Sequence, residues 1–215
     1  MSSTTRRPFP DLPARLPTGL SPTRTGHDRW WRFDRTDARI WDWTPFPAPL
    51  HRFDPPSGRF RVRYAATTLH GAVLERFGSY GRRRVTAADR DTTVARLTGD
   101  PAAVDVTDVD VREALRVDER ISVGRSVPTR PTTDDPLLDA CGRLADRVDD
   151  WYGIPTTTIV FRSRHDADRH NLAFSSATLT VDGVPERLER DREAITALLA
   201  AGVSVPDSWL DDLDP

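Results

Sequence analysis

The sequence predicts an α+β fold: a single mixed domain with a small β-sheet core and flanking helices. Two observations carry this. Residues 52–78 (RFDPPSGRFRVRYAATTLHGAVLERFG) switch from a two-residue to a 3.6-residue apolar period within one short segment. Further on, an amphipathic helix opens at Pro136, stops at Gly153 and is followed by strand-like runs and a last helix. A chain of 215 residues fits one domain plus a tail and is long enough to bury a core.

Taken in order, residues 1–26 are rich in Pro, Ser, Thr and Arg and lack periodicity, so they predict a flexible tail, with the domain spanning 27–215. The prolines of this tail oppose the amphipathic helix of a transit peptide. Order is expected from Asp28, with a strand through Phe33. Residues 41–56 hold Trp41, Trp43, Phe46 and five prolines and predict a long aromatic-lined loop, of a kind that is often functional.

Phe60–Ala66 alternates as a strand, with Phe60, Val62, Tyr64 and Ala66 on one face and Arg59, Arg61, Arg63 and Ala65 on the other. The arginine row reads as a solvated face or a surface for an acidic partner. Thr67 or Thr68 can cap the helix that follows, whose inner side carries Leu69, Ala72, Val73 and Phe77. Glu75 lies off that stripe, free to face a cleft.

Ala102–Thr107 predicts a short buried strand, and Asp108 a cap for a brief helix through Leu115. Residues 122–135 read as loop. In the helix from Pro136, residues Leu137, Leu138, Cys141, Leu144, Ala145, Val148, Trp151 and Tyr152 form one stripe. Cys141 on that stripe is a core residue rather than a nucleophile. Strands are expected at about 157–162, 171–175 and 177–181. A helix over about 186–200 should turn Ala194, Ile195, Leu198 and Leu199 inward and end at Gly202.

Composition narrows the function classes. No apolar run approaches 18 residues and the first residues hold no apolar stretch, so neither a spanning helix nor a secretory signal is expected. A single cysteine fits a reducing cytoplasm. The net charge of −2 argues against direct nucleic-acid binding. All 31 cations are arginine, so only arginine position is informative.

An ordered set of short motifs runs through the chain: Trp31-Arg32-Phe33, Arg52-Phe53-Asp54, Gly58, Tyr64-Ala65, and Ala72 to Glu75. Gly153-Ile154, the strand Ile159 to Arg164 with its Ser163-Arg164 end, and Asn171-Leu172-Ala173-Phe174 complete it. This order resembles the RES domain family, named for arginine, glutamate and serine, strongest over residues 28–180. The resemblance implies an ADP-ribosyltransferase-like fold and NAD as substrate, with no metal. Some members degrade NAD by hydrolysis or phosphorolysis and others transfer ADP-ribose to a protein. Many are toxins paired with a helix-turn-helix antitoxin.

NAD chemistry gives the matched residues roles. Its diphosphate needs cations, which Arg32, Arg52 and Arg164 can supply as bidentate guanidinium donors. Cleaving its glycosidic bond builds positive charge on the ribose, which Glu75 can stabilise. Arg76 and Arg82 are alternative salt-bridge partners for Glu75. Tyr64 is either a wall for nicotinamide or a core tyrosine. Ser163, at a strand end, can position a phosphate, the nicotinamide amide or the attacking group, or else cap a turn. Arg32, Glu75 and Ser163 are thus the candidate catalytic residues, and Arg52, Tyr64 and Arg164 the candidate binding residues. Asp54, where some members of the family carry Asn, would add negative charge near the diphosphate. The HDADRH run at 165–170 matches no zinc spacing and reads as a solvated turn.

Overall fold

A computed structural model describes residues 9–78, 84–123, 136–153, 157–175 and 178–211, without the Ala87 side chain. Arg82, Ile154 and residues 124–135 of the expected loop lie outside these residues. No helix among the described residues is long and apolar enough to cross a membrane.

The strands are β1 (Thr23–Arg24), β2 (Arg29–Asp34), β3 (Val62–Ala66), β4 (Thr93–Thr98), β5 (Ala102–Asp105), β6 (Thr158–Arg162), β7 (His170–Ser175), β8 (Thr180–Val181) and β9 (Glu186–Arg187). The helices are α1 (Leu69–Phe77), α2 (Val109–Leu115), α3 (Arg120–Val123), α4 (Pro136–Tyr152) and α5 (Arg192–Ala200). The strands form one mixed sheet in the order β1-β5-β6-β7-β3-β2-β4-β8, with β9 also on β4. Only β5–β6 is parallel among these pairs.

Three apolar clusters cover the sheet. On one face, α2, α3 and α4 pack over the β5-β6-β7-β3 half, around Phe53, Leu115, Leu144 and Ile159. On the same face, α1 and α5 pack over β2 and β4, around Phe33, Val73 and Ile195. The opposite face buries Trp30, Ala65, Leu97, Leu172 and Phe174 under Trp41 and Trp43. The register explains the division: Trp31 pairs with Ala66, and Tyr64 with Ala173, so odd positions of β2 share a face with even positions of β3.

β2 and β3 meet at a single residue pair, Trp31 with Ala66, whereas β2 runs beside β4 over six. The sheet therefore parts between β2 and β3, and this gap lies between the two helical clusters.

Local chemistry sets the elements as expected in most places. Thr68 caps α1 by accepting from the Gly71 amide, and Asp108 caps α2 by accepting from that of Asp110. Gly153 ends α4 at φ +75°, a conformation costly for any residue with a Cβ. Cys141 is fully buried on α4.

Four expectations need correction. Residues 9–26 are not a loose tail, since Phe9, Leu12 and Leu20 are buried in the α4 cluster and β1 pairs with β5. The Tyr152 hydroxyl donates to the Leu20 carbonyl at 2.8 Å. Their apolar side chains are too sparse to show a period, yet each finds a core site. The arginine row is solvated only in part: Arg59 is exposed and pairs with α4 carboxylates and Arg61 is half-buried, but the loop after β2 folds over Arg63. Arg63 is only 5% exposed, pairs with Asp34 and lies over the Trp41 and Trp43 rings. Burial and the neighbouring arginine charges push its guanidinium down to about 10. The last helix starts at Arg192, not near 186, because Leu188 enters the core from a 3-10 turn and Asp191 caps α5 instead. Leu199 is 44% exposed.

Candidate functional site

A cleft of about 400 Å³ opens where β2 and β3 part. Arg32, Arg52, Tyr64, Glu75, Arg164 and Asn171 line it, with Phe46, Leu50 and His51 of the loop forming one wall. Five of the six candidate residues thus reach one cavity from five separate segments of the chain. Ser163, the sixth, is 1% exposed and lies outside the lining.

Glu75 is the best-held group in the cleft. The α1 stripe fixes its direction, since Ala72, Val73 and Phe77 are buried and Glu75 is turned off them. Ser163 Oγ donates to Glu75 Oε1 at 2.7 Å, and Asn171 Nδ2 donates to the same oxygen at 2.9 Å. Arg164 Nε stands 3.6 Å from Oε2. The carboxylate side chain is 30% exposed, so it is oriented by the protein yet open to a ligand. Arg76, an expected partner, pairs with Asp89 instead at 3.5 Å.

Ser163 closes β6 and is locked in place by its own amide, which donates to the Arg169 carbonyl at 2.8 Å. Its hydroxyl also accepts from the His165 amide at 3.1 Å. It therefore caps a turn and holds Glu75 in the same act, rather than standing on the cleft wall.

Arg32 reaches across the parting of the strands. Nε donates to Asp34 at 2.9 Å and Nη1 to the Tyr64 carbonyl at 2.8 Å, while Nη2 has no protein partner among the described residues. Burial alone would raise the Asp34 carboxyl, but Arg32, Arg63 and the Thr36 amide outweigh it and hold the pKa below its usual value. Arg29, at the start of the same strand, is exposed and outside the cleft.

Arg52 is braced from below. Its guanidinium lies over the paired Phe53 and Phe161 rings, 5.1 Å from each, and donates to Cys141 Sγ and the Ile121 carbonyl. Nη1 makes no hydrogen bond within the described residues. The Tyr64 ring packs on the core, as one of its two readings expected, and also lines the cleft. Its oxygen accepts from the Phe53 amide at 2.8 Å, and burial pushes the phenol well above its ordinary range, keeping it neutral.

Asp54 does not put its charge in the cleft. It is 3% exposed and its Oδ2 accepts from the Leu50 and His51 amides, which shapes the turn that presents His51 and Arg52. Burial raises its carboxyl despite those amides. The HDADRH run forms the turn between β6 and β7, with Asp166 paired to Arg169 at 2.6 Å.

Sequence reasoning passed over Asn171 and His51. Asn171 had a signal, since a polar amide inside an otherwise apolar strand must be satisfied or functional. His51 had none, because its place on the wall comes from the Asp54 turn.

No curated protein matches the chain. A chain from the crystal structure of the M. tuberculosis MbcT–MbcA toxin–antitoxin complex is similar at 17% identity and a TM-score of 0.46, covering 77% of this chain and 86% of that one. The sequence model of the RES domain matches residues 29–196, a span holding all six candidate residues, and the chain belongs to the RES domain family.

Proposed function

We propose that the protein is an NAD-consuming enzyme that breaks the nicotinamide–ribose bond. The observation that carries this is the Glu75 carboxylate, fixed through Oε1 by Ser163 and Asn171 while a third of its side chain stays open to an arginine-lined cleft. Such a group need not reorganise when positive charge appears on a bound ribose, which is where electrostatic stabilisation is largest. Arg32 Nη2 and Arg52 Nη1, without a hydrogen-bond partner among the described residues, suit a diphosphate, and the Tyr64 ring offers nicotinamide an edge or face.

In the step itself the C–N bond breaks and its electron pair leaves with nicotinamide, neutralising the pyridinium. An oxygen of water or phosphate then bonds to the anomeric carbon and releases its proton to solvent. Membership of the RES family further suggests a growth-inhibiting toxin held in check by a helix-turn-helix antitoxin.

The experiment is NAD disappearance with purified protein, with and without phosphate, beside Glu75→Ala. The expected result is NAD loss that falls at least about a hundredfold in the variant. A phosphate requirement assigns phosphorolysis; loss without phosphate assigns hydrolysis. Labelled ADP-ribose on a protein with slow bulk loss would assign transfer instead. NAD binding without turnover in any of these assays would overturn the enzymatic reading in favour of a binding module.

A further inference from the structure

His165 has no part in the chemistry above, yet it stands at the edge of the Glu75 cluster. Arg164 Nε lies 3.0 Å from His165 Nε2 and 3.6 Å from Glu75 Oε2. That nitrogen carries one proton, and arginine does not give it up at any ordinary pH. The nearer imidazole nitrogen must therefore be the acceptor, which leaves the imidazole neutral with its proton on Nδ1. The His165 amide meanwhile donates to Ser163 Oγ, the atom that holds Glu75 from the other side.

Resting on the NAD-cleaving reading, we propose that His165 is a positioning residue for that reaction: its neutral imidazole accepts from Arg164 and so holds this guanidinium beside Glu75. Protonation of His165 removes the acceptor and sets a second cation against Arg164, which shifts its guanidinium relative to Glu75. The charged groups acting on His165 are Glu75 from α1, which favours the imidazolium, and Arg164 from its own turn, which opposes it. Asp166 and Arg169 in the same turn are engaged with each other. His70, at the start of α1, acts on Asp166. Burial is the largest influence and holds the His165 pKa below its ordinary 6.5. The positioning form is thus the one present at neutral pH, and it is lost as pH falls through that lowered pKa.

The test has one arm that does not depend on catalysis. Nitrogen NMR of the imidazole should show the Nδ1–H tautomer, with a titration midpoint that rises in Arg164→Met. An Nε2–H tautomer, or a midpoint indifferent to that substitution, overturns the proposal whatever the protein does to NAD. In the kinetic arm, His165→Phe should raise KM for NAD about tenfold, the loss of one hydrogen bond to a charged group. His165→Gln, whose side-chain oxygen can still accept from Arg164, should recover most of that affinity and lack the acid limb of the wild-type pH profile. Equal KM values in wild type and both variants would overturn the positioning role. Failure of all NAD turnover would sink the function reading alone, because the tautomer still decides the contact.

Discussion

At the scale of single residues, the cleft depends on what holds each charge rather than on the charges alone. Glu75 is oriented because two neutral donors converge on one of its oxygens. Ser163→Ala should keep the fold, lower kcat/KM for NAD about ten- to a hundredfold and lower the melting temperature by only a few degrees, as a buried hydroxyl that holds Glu75 and accepts from the His165 amide is lost while the Glu75 carboxylate stays reachable by water. Steady-state kinetics beside a thermal melt checks this. A melting loss as large as the kinetic loss would mean that Ser163 serves the fold instead. Glu75 itself was legible in the sequence because the helical period excludes it from the apolar stripe. Its partners were not, since Ser163 and Asn171 are 88 and 96 residues away.

At the scale of elements, the site is shaped by contacts between α4 and the turn at Arg52–Pro56. Gly142 on α4 sits against this turn so closely that an added Cβ would meet the Asp54 carbonyl oxygen at 2.8 Å and Pro56 Cδ at 3.0 Å. Gly142→Ala should destabilise by about 1–3 kcal/mol through overpacking, less the helix propensity that alanine regains. It should also raise KM for NAD, because the displaced turn carries His51 and Arg52. Chemical denaturation and kinetics on the same sample measure both effects. A variant as stable as the parent would show that the turn yields freely. Most helices and strands were readable from period and caps. Arg63 was misread as solvated because alternation reveals two faces of a strand but not what covers each one, and the aromatic loop after β2 covers this arginine while leaving Arg59 exposed.

At the scale of the whole molecule, the cleft exists because β2 and β3 pair at one point and then part, with helical clusters on either side of the gap. The segment before β2 contributes to one of these clusters. Deleting residues 1–22 removes Phe9, Leu12 and Leu20 from the core. At roughly 1.5–3 kcal/mol for each fully buried large apolar side chain, the deletion should cost several kcal/mol. Urea unfolding of the shortened chain measures this. An unchanged midpoint would restore the flexible-tail reading of this segment.

By itself the sequence determined the α+β class, the positions of α1, α2 and α4, the strands β2, β3, β5, β6, β7 and β8 but not β1, β4 or β9, and the identities of Arg32, Arg52, Tyr64, Glu75 and Arg164 as residues worth bringing together. These follow from local periods, caps and an ordered motif set, all of which act over short stretches of chain. Only the tertiary structure decided that Ser163 and Asn171 hold Glu75, that Asp54 shapes a turn instead of charging the cleft, and that residues 9–26 are built into the core. These outcomes depend on strand register and on which faces meet, and both are settled by contacts between segments far apart in the chain, which no local pattern encodes.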